Sequence, residues 1–337
     1  MQLLGSDSWN KILVALGVFI TGGIVGYIGG TIIPHAYTST ISLVREGGYQ
    51  FINPLLACDF SDNLPYDGFS SLKRNFSATI ADAKRQGLAT RVAVYFRDLD
   101  DGLWTGINED DRFSPASLDK VPLAIAQMRN VTLAALATTT LYVPAGPDLN
   151  AQETFTPSEP IALGHEYTLG ALIDAMIIQS DNNATDVIYK SVATTTLLSV
   201  YKDFAIAPSD SQDEVMSPKM YSRVLRILYN GSYLGRNKSE ALLKTLSQST
   251  FSHGLTLALP PSATVAHKFG ERTFIDTGGN IVRHELHDCG IVYYPPHPYL
   301  LCVMTEGSDF TELEGVIKTL SGQAFVAVGQ GLLESKN

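Results

Sequence analysis

Apolar positions fall into three regimes along the chain. From Ile12 to Ile33 no charge interrupts the run. At about 1.5 Å per residue such a helix reaches roughly 33 Å, enough to cross the hydrocarbon core of a bilayer. The pattern predicts one membrane-spanning anchor over residues 12–33, preceded by a short cytoplasmic stub over 1–11. A cleaved secretory signal fits less well, because the run exceeds the roughly 7–15 apolar residues of such signals and Pro34-His35-Ala36 offers no small-x-small cleavage site. Lys11 lies nearer the span than Arg45, which favours the N-terminus inside and the body outside, at the cell membrane. Gly22, Gly26 and Gly30 fall on one helical stripe, a surface along which two spans can associate. Leu55-Leu56-Ala57-Cys58 looks like a lipoprotein cleavage box but lies too far beyond the apolar run to serve as one.

Residues 34–69 contain Gly47-Gly48, Pro54, Pro65 and Gly68 without sustained periodicity, and read as a tether lying against the body. The folded body is expected over 70–333. Leu72, Phe76, Ile80 and Ala83 share one face of a helix that stops at Gly87. Val92, Val94 and Phe96 alternate with Ala93, Tyr95 and Arg97 as a strand, and a second strand is expected around Leu103–Ile107. From Ala116 to about Leu246 the pattern is mostly helical, including Tyr167–Ile178 and Pro218–Tyr229. From Thr264 it becomes extended, with a hairpin loop at Pro295-Pro296-His297-Pro298 and a closing helix from about Thr311 to Glu334. Strands at both ends around a helical middle, about 114–262, predict an α+β body whose two ends share one antiparallel sheet beside an all-helical subdomain.

Charge narrows the function. With 24 Lys plus Arg against 34 Asp plus Glu, the net charge is −10, and no basic run appears, which argues against a nucleic-acid partner. No glycine-rich phosphate loop is present, so no nucleotide cofactor is implied. Cys58, Cys289 and Cys302 are too few and scattered for a disulfide scaffold or a cysteine-rich zinc site, and read as buried thiols in strands. His284-Glu285-Leu286-His287-Asp288-Cys289 lacks metal-ligand spacing, since positions 284 and 287 of a strand point to opposite faces; no metal site is expected. His165, His253, His267 and His297 have no spaced partners and read as surface or capping residues.

Ser117-Leu118-Asp119-Lys120 opens the apolar helix Val121–Met128, with the serine in the first turn and the lysine three residues on, on the same face. A serine hydroxyl is a weak nucleophile until a base takes its proton, and a desolvated lysine can be neutral enough to do so. Exposed N–H groups at a helix start also favour developing negative charge. The S-x-x-K spacing alone is weak, for Ser70–Lys73 and Ser199–Lys202 share it. What distinguishes Ser117 is the order of Ser180-Asp181-Asn182 and Lys268-Phe269-Gly270 downstream.

Through FSPASLDKVPLAIA, IIQSDNNATDVIY, VAHKFGE and HDCGIVYYPPHPYLLCVM the chain resembles the serine β-lactamase and penicillin-binding superfamily, most closely its class A-like branch. The resemblance implies a sheet domain beside a helical one, with the site between them. It assigns Ser117 as the acylated nucleophile, Lys120 as its proton acceptor and Ser180 as the proton shuttle to the leaving nitrogen. Asn182 would orient a substrate amide and Lys268 attract its carboxylate. The N–H groups of Ser117 and Glu271, the residue after Gly270, would form the oxyanion hole, with Asp181 holding backbone. The implied ligand is a β-lactam or a peptidoglycan stem peptide ending in D-alanyl-D-alanine. Two departures stand out. Phe269 replaces the family's hydroxyl residue, and no E-x-x-L-N glutamate follows Asn182, which predicts slow deacylation; Asp213 or Glu214 is the nearest substitute base for an efficient β-lactamase. A peptidoglycan-binding module without catalysis is disfavoured by the intact serines and lysines.

Overall fold

The computed structural model describes residues 45, 47–54, 67–100, 102–206 and 215–330. The expected anchor, Gly22, Gly26, Gly30, most of the tether, Cys58, Asp213 and Glu214 lie outside the described residues. Among the described residues no helix is long and apolar enough to cross a membrane.

Helix α1 (Ser70–Gln86) buries Leu72, Phe76, Ile80 and Ala83, the face expected from their spacing. It ends where Gly87 turns left-handed at φ +76° and the Leu88 N–H returns to the Ala83 carbonyl at 2.9 Å. Strands β1 (Arg91–Asp98) and β2 (Trp104–Ile107) follow, then helices α2 (Lys120–Arg129) and α3 (Leu133–Thr138). The pair β3 (Thr140–Val143) and β4 (His165–Thr168) forms a small separate sheet. Next come α4 (Leu169–Ile178), α5 (Asn182–Ser191), α6 (Thr194–Asp203), α7 (Pro218–Tyr229) and α8 (Arg236–Leu246). Strands β5 (Val265–Ile275), β6 (Ile281–Val292) and β7 (Tyr299–Gly307) and helix α9 (Phe310–Gly329) complete the body.

The main sheet is antiparallel in the order β2-β1-β7-β6-β5, so both ends of the body share it, as expected. Helices bury both of its faces. Val92, Val94 and Phe96 of β1, with Leu301 and Val303 of β7, join α1 and α9 in one core; Ala93, Tyr95, Leu300, Cys302 and Met304 join the helices between β2 and β5 in the other. Each fully buried Leu, Val or Phe contributes roughly 1.5–3 kcal/mol of transfer free energy.

Three expectations need correction. The subdomain expected to be all-helical contains β3 and β4, whose ladder runs from Thr140↔Thr168 to Val143↔His165; the β-branched threonines before and within β3 favour extended backbone. The extended region from Thr264 holds a second hairpin besides the expected one, because a turn at Asp276–Asn280 folds β6, from Ile281, back along β5. Cys289 and Cys302 are not free thiols: directly paired across β6 and β7, they are joined by a disulfide.

The described part of the tether packs on the body. Glu240 of α8 accepts the N–H groups of Gln50, Phe51 and Ile52 at 2.9–3.2 Å, while Phe51 and Ile52 are buried.

Candidate active site

Ser117 sits in the 3-10 turn Ala116–Asp119 leading into α2, after Ala116 at φ +46°. Two devices fix this turn. Gly270 of β5 passes so close that a Cβ there would lie 2.9 Å from the Pro115 carbonyl oxygen and 3.3 Å from the Ala116 Cβ. On β6, Glu285 accepts the Ser114 N–H at 3.0 Å and His287 Nε2 reaches the Ser114 carbonyl at 3.0 Å. The Thr305 N–H donates to His287 Nδ1 at 3.3 Å, so the ring carries its proton on Nε2 and donates it to Ser114. Both backbone polar groups of Ser114 are thus held by buried side chains.

Ser180 ends the segment after α4 with φ +58°, and its neighbour Asp181 caps α5 by accepting the Ala184 N–H at 2.9 Å. The other Asp181 oxygen accepts the Ile161 N–H at 3.0 Å, the backbone role expected of it. The turn lifts the Ser180 hydroxyl between two lysines. Lys120 Nζ donates to Ser180 Oγ at 3.0 Å, to the Ser180 carbonyl at 2.6 Å and to Asn182 Oδ1 at 2.7 Å; Lys268 Nζ donates to the same hydroxyl at 2.9 Å. Among the described residues Ser117 Oγ makes no hydrogen bond, and Ser117 lines a cavity of about 370 Å³ with Lys120, Asn182 and Glu271.

Burial governs both amines. It lowers the Lys120 pKa to about 8, against the pull of Glu153, Asp181 and Glu271. An amine at about 8 is neutral in roughly one molecule in ten at pH 7. Lys268, wholly buried, is held well below the ordinary lysine range by desolvation and then by the charge of Lys120. Its amine lies 4.2 Å from the Phe269 ring centroid and also donates to the Phe269 carbonyl at 3.2 Å.

The structure therefore brings Ser117, Lys120, Ser180, Asn182, Lys268, Gly270 and Glu271 to one place. The Glu271 carboxylate accepts the Thr154 and Phe155 N–H groups at 3.0 and 2.8 Å, pinning the loop between β3 and β4 beside the cavity. Burial raises its pKa. Phe269 stacks on Phe251 with centroids 3.8 Å apart and belongs to the core shared with α1 and α9.

Sequence reasoning missed Glu153. Its carboxylate lines the cavity and accepts Asn182 Nδ2 at 2.7 Å, so the amide of Asn182 bridges Lys120 and Glu153. No motif marks Glu153, which lies in the long loop between β3 and β4. His267 is not a surface residue either: it is buried and meets Asp288 at 2.9 Å, one position before Lys268. His284 and His287 have separate surroundings, His284 beside Thr273 and Phe310, His287 beneath Ser114. Among the described residues no group of three or more potential metal ligands occurs.

No curated protein matches the sequence. Solved structures share its fold. A mutant of PBP-A, held as its acyl-enzyme with penicillin G, is 22% identical and superposes with a TM-score of 0.62 over 77% of this chain and 97% of its own. A β-lactamase from Chitinophaga pinensis is 22% identical, with a TM-score of 0.63 over 77% and 99% of the two chains. The extended-spectrum β-lactamase TLA-3 is 20% identical, with a TM-score of 0.65 over 77% and 98%. The sequence model of the β-lactamase enzyme family matches residues 72–328, the stretch that carries all three motifs and the whole sheet. By that match the chain belongs to the β-lactamase enzyme family.

Proposed function

We propose that the chain is a membrane-anchored serine hydrolase that forms an acyl-enzyme at Ser117 with β-lactams or with D-alanyl-D-alanine-type amides of peptidoglycan. The observation that carries the reading is the convergence of two desolvated amines on the one Ser180 hydroxyl beside the Ser117 cavity. Neutral Lys120 takes the Ser117 proton as Oγ attacks the amide carbonyl. The proton then passes through Ser180 to the nitrogen as the C–N bond breaks. Asn182 and Lys268 orient the substrate amide and carboxylate, and the N–H groups of Ser117 and Glu271 hold the oxyanion.

In this reading residues 12–33 span the membrane, 34–69 tether the body, and 70–333 form the hydrolase, its helical part at about 114–262, on the outer side. The buried Cys289–Cys302 disulfide supports an oxidising compartment. Deacylation is slow, because the segment after Asn182 carries no E-x-x-L-N glutamate to activate water. Glu153 favours a second reading, an efficient β-lactamase, since it places a carboxylate in the cavity, although hydrogen-bonded to Asn182. Incubating the full chain and its Ser117→Ala and Glu153→Gln variants with a fluorescent penicillin and a chromogenic cephalosporin separates the two. A lasting adduct on Ser117 without turnover is expected. Rapid turnover lost in Glu153→Gln would establish the second reading, and a folded protein giving neither adduct nor turnover would remove β-lactams as substrates.

A further inference from the structure

The turn that carries Ser117 also carries a carboxylate that the acylation chemistry leaves unused. Ser117 and Asp119 line the same cavity of about 370 Å³, to which Asp119 is partly exposed. At three residues per 3-10 turn, Ser117 and Lys120 share one face, and Asp119 stands on the flank that meets α6. There Tyr201 of α6 donates its hydroxyl to Asp119 Oδ2 at 2.5 Å. An ionised carboxylate has about four acceptor sites over its two oxygens, so this contact fixes the direction of Asp119 and leaves Oδ1 open. Among the described residues no other hydrogen bond or ion pair reaches the Asp119 carboxylate.

Glu153, the other carboxylate considered above, is differently placed. It accepts Asn182 Nδ2 at 2.7 Å and is thereby tied to the residue that orients the substrate amide. Asp119 shares no hydrogen bond with Ser180, Asn182 or Lys268, and so stays open to water when an acyl group occupies them. Desolvation by the surrounding protein raises the Asp119 carboxyl to about 6, against the opposing hydrogen bond from Tyr201. It is thus ionised at neutral pH yet more basic than a solvated aspartate, as a proton acceptor for water requires. The groups that face it are Lys120 in its own turn, Tyr201 of α6 and Tyr221 of α7, with Glu153, Asp186, Glu271 and Arg272 around the cavity.

We propose that Asp119 is the general base that releases the acyl group from Ser117. This assignment rests on the acyl-enzyme reading and supplies its slow second half. A water between Asp119 and the ester loses a proton to the carboxylate as its oxygen bonds to the acyl carbon. The acyl C–Oγ bond then breaks, and the proton passes to Ser117 Oγ. Hydroxyl goes to the acyl group and hydrogen to the serine, with nothing oxidised or reduced. The Tyr201 hydrogen bond aims the base but also weakens it, in keeping with slow release.

The test is the lifetime of the adduct. The full chain and its Asp119→Asn, Tyr201→Phe and Glu153→Gln variants are labelled with a fluorescent penicillin, freed of excess, and followed by intact mass between about pH 5 and 8. Asparagine still accepts the Tyr201 hydroxyl, so that contact is kept and the base alone is lost. Release from the parent should quicken as pH rises through about 6. In Asp119→Asn it should be at least about tenfold slower and insensitive to pH over this range. Tyr201→Phe removes the bond that lowers the Asp119 pKa and should move the release profile to higher pH, a second readout should Asp119→Asn fold poorly. Release unchanged in Asp119→Asn, an unmoved profile in Tyr201→Phe, or release lost in Glu153→Gln alone overturns the proposal. A parent that takes up no label would overturn the acyl-enzyme reading itself, and this assignment with it.

Discussion

Replacing Gly270 by alanine places a methyl carbon 2.9 Å from the Pro115 carbonyl oxygen, closer than real Cβ atoms approach, and 3.3 Å from both Ala116 Cβ and Leu118 Cγ. That same oxygen accepts the Leu118 N–H at 3.0 Å, the bond that starts the turn bearing Ser117. β5 and the turn must separate by about half an ångström to reach ordinary contact. Overpacking of this kind costs about 1–3 kcal/mol. Working against it, alanine restricts the unfolded chain and would stabilise an unstrained site by about 0.4–1 kcal/mol. The clash wins, for a net loss of about 1–2 kcal/mol. Because an ångström of misplacement can cost a hundredfold in rate, the smaller shift should slow penicillin acylation about tenfold. Gly315 is the internal comparison: it lies inside α9 with nothing within 4 Å of its would-be Cβ. Gly315→Ala should therefore gain about 0.5–1 kcal/mol and leave acylation unchanged. Urea unfolding and stopped-flow acylation of both variants decide the matter. If Gly270→Ala proved as stable and as fast as the parent, the close approach of β5 would not be what holds the turn.

Acylation should rise with pH through an apparent pKa near 8 as Lys120 loses its proton, read from rates between about pH 6 and 9.5. The same group makes stability pH-dependent. Folding lowers its pKa from 10.5 to about 8, so between those values the unfolded chain binds more protons, and the Lys120 contribution to stability should grow as pH rises through that window, read from urea midpoints. Glu153→Gln removes the largest influence raising the Lys120 pKa and should move the acylation profile to lower pH; an unmoved profile would exclude Glu153 as its electrostatic partner. Glu240→Ala leaves three backbone N–H groups of residues 50–52 without their carboxylate and should cost about 2–3 kcal/mol, with faster proteolysis in that segment.

Where a pattern is local, the sequence was readable. Leu72, Phe76, Ile80 and Ala83 mark α1 by spacing, Gly87 stops it by its left-handed backbone, and Ser217 before Pro218 starts α7 by accepting the Met220 N–H at 3.2 Å. The predicted residues that gather at the cavity could be picked out because each belongs to or adjoins a short motif. What escaped depends on partners far along the chain. β3 finds β4 across a loop of some twenty residues, Cys289 meets Cys302 only through the β6–β7 register, and His267 is buried because Asp288 stands beside it. Glu153 carries no local mark, for its position follows from how the β3–β4 loop is pinned by Glu271. The role of His287, likewise, is visible only once β6 lies beneath Ser114.

The strand order β2-β1-β7-β6-β5 sets a timetable for the growing polypeptide. β1 is made early, yet its neighbour β7 is the last strand to appear, about two hundred residues later. Until then β1 offers an open edge, and the lysine of β5 cannot be seated against the hydroxyl that follows α4. Ser117 is thus translated long before the residues around it can assemble. Closure across so large a separation in sequence is entropically slow. A chain truncated before Tyr299 would keep all three motifs and still lack the central strand that joins the two halves of its sheet.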